Sequence, residues 1–255
     1  MINYLKMNKY KSTLILVSFF WTSICFAQNS QDTLKVLFVG NSYTYYYNLT
    51  QLVSLISDST QTKLITSKST IGGARLSDHW RGKKGLQTKA LIRNGNFDIV
   101  VLQDHSMSAI EQPDSLLFYS KKFSNLIKKN GAQPYLYSTW AREKAPQYQQ
   151  ETITKVYNQA GQDNNASIVH VGEVWNLSKK LRPGIKLYLS DGSHPSPLGS
   201  FLTACAFVKA LTKELPEVLP NKYQILDVNG ESVNLANQNP QDIRFCLAVV
   251  KEITN

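Results

Sequence analysis

Cysteine is scarce in this chain, three in 255 residues. No Cys/His spacing suits zinc, so a metal-held small domain is excluded. Cys205 and Cys246 lie in apolar helical patterns (Ala204-Cys205-Ala206-Phe207 and Phe245-Cys246-Leu247-Ala248) and are expected as buried free thiols rather than a disulfide. No period of 20–50 residues repeats and no segment is low in complexity, which excludes solenoids and repeat arrays. Charged residues are only 18% of the chain against 42% hydrophobic, a globular balance and not a disordered one. Nothing resembles a nucleic-acid motif. The basic excess is scattered in pairs (Lys83-Lys84, Lys121-Lys122, Lys128-Lys129, Lys179-Lys180) that suit solvated helix faces, so a weak preference for anionic polymers is the most it implies.

Long apolar runs are also lacking. The run Leu14-Ile15-Leu16-Val17-Ser18-Phe19-Phe20-Trp21 is shorter than the roughly 20 residues a spanning helix needs. Lys6, Lys9 and Lys11 precede it and Cys25-Phe26-Ala27 closes it, the basic–apolar–small layout of a secretory signal peptide. Residues 1–27 are therefore expected to be a leader cut after Ala27, leaving a secreted or periplasmic chain with no stable membrane insertion. Cleavage removes three lysines and no acids, so the formal charge of +10 falls to +7. Residues 28–255 fit a single domain.

Strand-like runs alternate with helical patterns from Leu34 onward. The runs are 34–39, 63–67, 98–102, 134–138 and 167–171; helical spacing marks 48–57, 86–94, 114–129 and 147–162 between them. Helices are further expected over 197–214 and 240–253, with a short hairpin around Asn229-Gly230. This alternation predicts an α/β fold, a parallel sheet of about five strands covered on both faces by right-handed crossovers. Ligands of such sheets bind beyond the carboxyl ends of the strands. Four loops converge there: Gly40-Asn41-Ser42, Gly72-Gly73, Gln103-Asp104-His105-Ser106, and Asp191-Gly192-Ser193-His194-Pro195.

A serine becomes a nucleophile only beside a base, and the base needs an orienting acid. Ser42, His194 and Asp191 supply all three types. The three-residue separation of Asp191 and His194 lets a turn fold the carboxylate under the ring, and Pro195 and Pro197 stiffen that turn. The competing readings are a helix-capping serine and a solvated turn carrying an exposed histidine. His105 is expected to line the pocket or bond the backbone, His79 to sit on a rim loop, and His170 to be structural. Tyr43, Tyr45, Tyr46 and Tyr47 could wall a pocket or pack the first helix, and Trp140-Ala141-Arg142 faces the site edge.

Gly40-Asn41-Ser42 after the first strand resembles the G-[DN]-S block of the SGNH (GDSL-like) hydrolase superfamily. Asp191-Gly192-Ser193-His194-Pro195 resembles its D-x-x-H-P block. The order, separation and strand context match as well, from Leu34 to the helix after His194. The resemblance implies a flavodoxin-like three-layer α/β/α sandwich with Ser42, Asp191 and His194 as catalytic triad, working through an acyl-enzyme without metal or organic cofactor. Gly73 matches the family's backbone donor to the oxyanion, beside the Ser42 amide, with Gly72 shaping the turn. Where the family commonly has G-x-N-D after the third strand, this chain has Leu102-Gln103-Asp104-His105-Ser106. That is similar to a glutamine-containing branch seen in carbohydrate acetylesterases and in secreted Bacteroidetes-type proteins. Gln103 is then the expected side-chain oxyanion donor, its alternative role being to tie loops together. Asn41, Tyr43, Gly72, His105 and Trp140 are the remaining candidate pocket residues.

The function these residues imply is hydrolysis of O-acyl, above all O-acetyl, esters, on glycans or smaller molecules. An acyltransferase or lipase-type esterase on the same fold is the alternative among enzymes. A non-catalytic glycan-binding protein is the alternative outside them.

Overall fold

Strands as uniformly apolar as Val36-Leu37-Phe38-Val39 or Ile99-Val100-Val101-Leu102 need cover on both faces. A computed structural model describes residues 31–253; the expected leader lies outside these residues. The chain order is β1 (Asp32–Gly40), α1 (Ser42–Tyr45), α2 (Leu49–Ser57), β2 (Thr62–Thr70), α3 (Leu76–Arg81) and α4 (Thr88–Asn94). Then follow β3 (Ile99–Leu102), α5 (Ser108–Glu111), α6 (Pro113–Lys129), β4 (Gln133–Tyr137), α7 (Gln147–Asn164), β5 (Ser167–Val169) and α8 (Val171–Leu181). The last elements are α9 (Pro197–Thr212), β6 (Lys222–Leu226), β7 (Ser232–Asn237) and α10 (Pro240–Ile253).

Strands β1 to β5 form one parallel sheet in the order β2-β1-β3-β4-β5, with β1 central and paired to both β2 and β3. Alternate residues of each strand serve different layers. Val36, Phe38, Ile99, Val101, Tyr135 and Tyr137 pack with α2, α8, α9 and α10; Leu37, Val39, Val100, Leu102 and Leu136 pack with α3 to α7. The result is the three-layer α/β/α sandwich the alternation predicted.

One difference from the sequence expectation concerns the site's supports. Helix α8 was not foreseen, although Val171, Val174, Trp175 and Ser178 make a buried stripe at helical spacing. Its Trp175 stacks on Trp140 with ring centroids 3.7 Å apart, both rings buried. Truncating such a ring costs about 3–5 kcal/mol, so Trp140 anchors the loop after β4. The hairpin expected around Asn229-Gly230 is present, with β6 and β7 pairing antiparallel across the turn from Asp227 to Glu231. Cys205 and Cys246 are free and buried.

Candidate active site

Strand β1 ends at Gly40, and the chain turns directly into the one-turn helix α1 at Ser42. Asn41 caps that helix, its side-chain oxygen accepting from the Tyr43 N–H at 3.1 Å. The cap is thus Asn41, not Ser42, and Ser42 is left as the first helical residue. A side chain at position 40 would overlap Gln103 Oε1 and Thr44 Oγ1, so only glycine lets the β3 loop close on this turn.

The structure brings Ser42, His194 and Asp191 together across more than 150 residues of chain. His194 Nε2 lies 2.9 Å from Ser42 Oγ, and His194 Nδ1 lies 2.5 Å from Asp191 Oδ2. The other Asp191 oxygen accepts the backbone N–H groups of Ser193 at 2.9 Å and His194 at 3.0 Å. The bond to His194, ahead of those two backbone bonds, pulls the Asp191 carboxyl down to about 2 although it stands largely in solvent. A carboxylate at Nδ1 puts the ring proton there, which leaves Nε2 free to accept from the serine hydroxyl.

Aromatic rings fix the loop that carries the histidine. Tyr43 lies flat on Trp140 (4.5 Å, 9°) and its hydroxyl is 2.8 Å from Ser193 Oγ. Trp140 Nε1 donates to the Ser193 carbonyl at 3.0 Å. Burial raises the Tyr43 phenol, which stays neutral. Ser193 thus joins the two motifs, a role its place inside the Asp191–His194 block does not announce. Tyr43 and Trp140 are nearly inaccessible, so they form the bed under the site instead of lining an open pocket.

The loop after β3 departs further from expectation. Gln103 is fully buried. Its Oε1 accepts from the Asn41 N–H at 2.8 Å and the Thr44 hydroxyl at 2.9 Å, while its amide nitrogen donates to the Asp104 carbonyl. Gln103 therefore ties loops together and does not present its amide to an oxyanion. Asn41 is spent in the same way, donating to the Ala74 carbonyl at 3.0 Å. Asp104, also buried, accepts from the backbone N–H groups of Leu76 at 2.9 Å and His105 at 2.7 Å, and burial raises its carboxyl. Gly72 and Gly73 stay exposed beside this knot, Gly73 at φ +66°. Among the described residues the N–H groups of Ser42 and Gly73 have no hydrogen-bond acceptor, as oxyanion donors would require.

His105 is half-buried and accepts the Met107 N–H at 3.3 Å, one of the two roles expected of it. His79 is not on a rim. Helix α3 turns it inward, fully buried, between the Thr88 hydroxyl (2.7 Å) and the Gly40 carbonyl (3.0 Å). Trp80 packs edge-on against Phe123 within the helix layer. His170 pairs with Glu173 at 2.7 Å at the start of α8. A cavity of about 390 Å³ adjoins the Asp191 loop, lined by Arg142, Lys144, Gln149 and Ser190 among others. No group of three or more His, Cys, Asp or Glu among the described residues could hold a metal ion. No described helix is long and apolar enough to cross a membrane.

No protein-family model matches the chain, and no curated protein matches its sequence. Solved structures do match. A protein of Slackia heliotrinireducens provisionally assigned as an SGNH hydrolase is 24% identical, covering 71% of this chain and 100% of its own, with TM-score 0.61. A DUF4886 family protein of Bacteroides uniformis is 18% identical over 87% of this chain and 94% of its own, with TM-score 0.69. An acetyl xylan esterase is 19% identical over 70% of this chain and 100% of its own, with TM-score 0.54. With β1, β3 and the Asp191 loop delivering their residues to one edge of a 2-1-3-4-5 sheet, the chain has the fold of the SGNH hydrolase superfamily.

Proposed function

We propose that this protein is a serine esterase that removes O-acyl groups, chiefly O-acetyl, from glycans or small glycosides. The observation that carries the reading is the continuous run of contacts Ser42 Oγ–His194–Asp191, at 2.9 and 2.5 Å. Ser42 Oγ attacks the ester carbonyl carbon while its proton passes to His194 Nε2. The carbonyl oxygen becomes an oxyanion, held by the N–H groups of Ser42 and Gly73. The C–O bond to the alcohol then breaks, and the imidazolium returns the proton to the departing oxygen. Water, deprotonated by the same nitrogen, attacks the acyl-Ser42 and releases the acid. Asp191 stays ionised throughout and stabilises the imidazolium.

The acetyl and glycan parts of the proposal draw on different support. The cavity beside Asp191 is bordered by Met107 and Ala145 and by Arg142, Glu143, Lys144, Gln149 and Ser190, whose polar groups can hydrogen-bond a hydroxylated alcohol. An acetyl xylan esterase is among the structural neighbours. The proposal includes export, with the leader removed after Ala27, which would place the enzyme where polymeric glycans are met.

Hydrolysis of p-nitrophenyl acetate by purified protein tests the reading. Ser42→Ala is expected to lower kcat by about 10⁴-fold or more. Wild-type turnover by that variant would end the proposal. Acetate release from acetylated polysaccharides, compared with octanoyl esters, tests the substrate class; a strong preference for octanoyl would overturn it.

A further inference from the structure

The five residues from Tyr43 to Tyr47 include four tyrosines, and only one of them meets the imidazole face to face. Helix α1 stops at Tyr45; Tyr46 is extended (ψ 139°), and Tyr47 and Asn48 both follow in the left-handed region, at φ 47° and 55°. Two successive non-glycine residues there oppose the usual preference of L-residues. Such a turn persists only where the surroundings over-determine it, and it keeps α1 from running on into α2. Its consequence is local. The Tyr46 ring lies over His194 with centroids 4.5 Å apart and planes 21° apart. The Tyr46 carbonyl accepts from Ser200 Oγ at 3.4 Å, on the helix that follows the histidine loop, and Tyr45 stacks against Tyr46 at 5.7 Å.

We propose that Tyr46 is a positioning residue for His194, its ring fixing the tilt of the imidazole and favouring the protonated form that arises during turnover. This rests on the serine-esterase reading above. The bonds to Ser42 and Asp191 hold the two ring nitrogens but leave the ring some freedom to tilt. A flat neighbour on one face removes that freedom and keeps water from it. The electron-rich face of a phenol also attracts an imidazolium more than a neutral imidazole. That attraction is largest after His194 has taken the serine proton, so it lowers the barrier and not merely the energy of the resting enzyme. The titratable groups facing the ring are the Asp191 carboxylate from its own loop and the phenols of Tyr43 and Tyr46 from the β1 side.

Tyr46→Leu is expected to lower kcat on p-nitrophenyl acetate about tenfold, with KM changed less than twofold. The acid limb of its pH–rate profile should move to lower pH, because the protonated ring loses a favourable neighbour. Tyr46→Phe keeps the aromatic face and is expected to recover at least half of the lost kcat and the position of the limb. NMR titration of the His194 ring protons in the resting protein should show the same ordering. A Leu variant with wild-type kcat and pH profile overturns the proposal, as does a Phe variant as impaired as Leu. If the wild type hydrolyses no ester, the functional reading fails, yet the NMR titration still decides the stacking: equal midpoints for wild type and Leu would reject it. Should Tyr46→Leu not fold, Tyr46→Met is measured in its place by the same criteria.

Discussion

Two imidazoles flank the Gly40-Asn41-Ser42 turn, and their bonding is nearly the same. His194 has a hydroxyl at one nitrogen, Ser42 Oγ at 2.9 Å, and an oxygen at the other, Asp191 Oδ2 at 2.5 Å. His79 likewise has a hydroxyl at one nitrogen, Thr88 Oγ1 at 2.7 Å, and an oxygen at the other, the Gly40 carbonyl at 3.0 Å. The carbonyl accepts from Nε2, so Thr88 donates to Nδ1, just as Ser42 donates to His194. Geometry of the hydroxyl–imidazole pair therefore does not make a relay. A carbonyl carries no charge to hold an imidazolium, and burial lowers the His79 pKa, so that ring stays neutral. Behind His194 stands an ionised carboxylate, and the ring reaches solvent at the strand edge. The chain places the His79–Thr88 pair in its interior, where it locks α3 and α4 to β1, and leaves the His194–Ser42 pair near the cavity.

The comparison predicts opposite responses to removing each partner oxygen. Asp191→Asn keeps the shape but can donate to Nδ1, favouring the wrong tautomer of His194. It is expected to cost about 10³-fold in kcat, somewhat less than loss of Ser42. Protein stability should change little, because the Asp191 side chain is about half exposed. Loss of less than tenfold in a kcat measurement would mean that Asp191 is no more needed by its imidazole than the Gly40 carbonyl is by His79. The Asp191 carboxyl, pulled down to about 2, loses its ion pair only as pH falls from about 3.9 toward 2.

Removing the inner hydroxyl should do the reverse. Thr88→Val keeps the shape and strips the hydroxyl that serves both His79 and Ser69 Oγ at 2.8 Å. Leaving those buried groups unpartnered costs about 1–3 kcal/mol, a fall of several degrees in Tm. Ester hydrolysis should remain within about twofold of wild type. A large drop in kcat at unchanged Tm would erase the distinction between the two histidines.

How far the sequence reveals this difference depends on what each feature needs. The strand runs are legible because a strand buried on both faces must be apolar throughout, and the helices α6, α7 and α10 because their stripes are long. Helix α8 escapes notice because it starts within two residues of β5 and its polar face ends in Lys179-Lys180. Around the site, types and separations are visible: a serine after β1, an acid and a histidine three apart with a glycine between them and prolines after. Direction is not. Nothing in Leu76-Ser77-Asp78-His79-Trp80 tells that α3 turns His79 inward, because the Arg75–Asp78 capping contacts and the packing of Trp80 on Phe123 decide it. Gln103 is read as a donor for the same reason. Its amide has the right chemistry, but Asn41 and Thr44 claim its oxygen and Asp104 its nitrogen, so the loop closes on itself.

The smallest effect separates the two imidazoles by pH. His79 is neutral in the fold, with its pKa lowered by burial, whereas in the unfolded chain it titrates near the reference value of about 6.5. Below that pH the unfolded state binds one proton more than the native state, so stability falls as pH falls, by at most about 1.4 kcal/mol per unit. Asp191 works with the same sign but in a separate window, below about 3.9. Between pH 4 and 6.5 a change in slope on removing the inner imidazole therefore belongs to His79. Urea unfolding midpoints of wild type and His79→Gln across that range should show the variant less stable at pH 7 but flatter with pH. Parallel curves would mean that His79 is already protonated in the native state, and the contrast between a silent buried imidazole and a working exposed one would be lost.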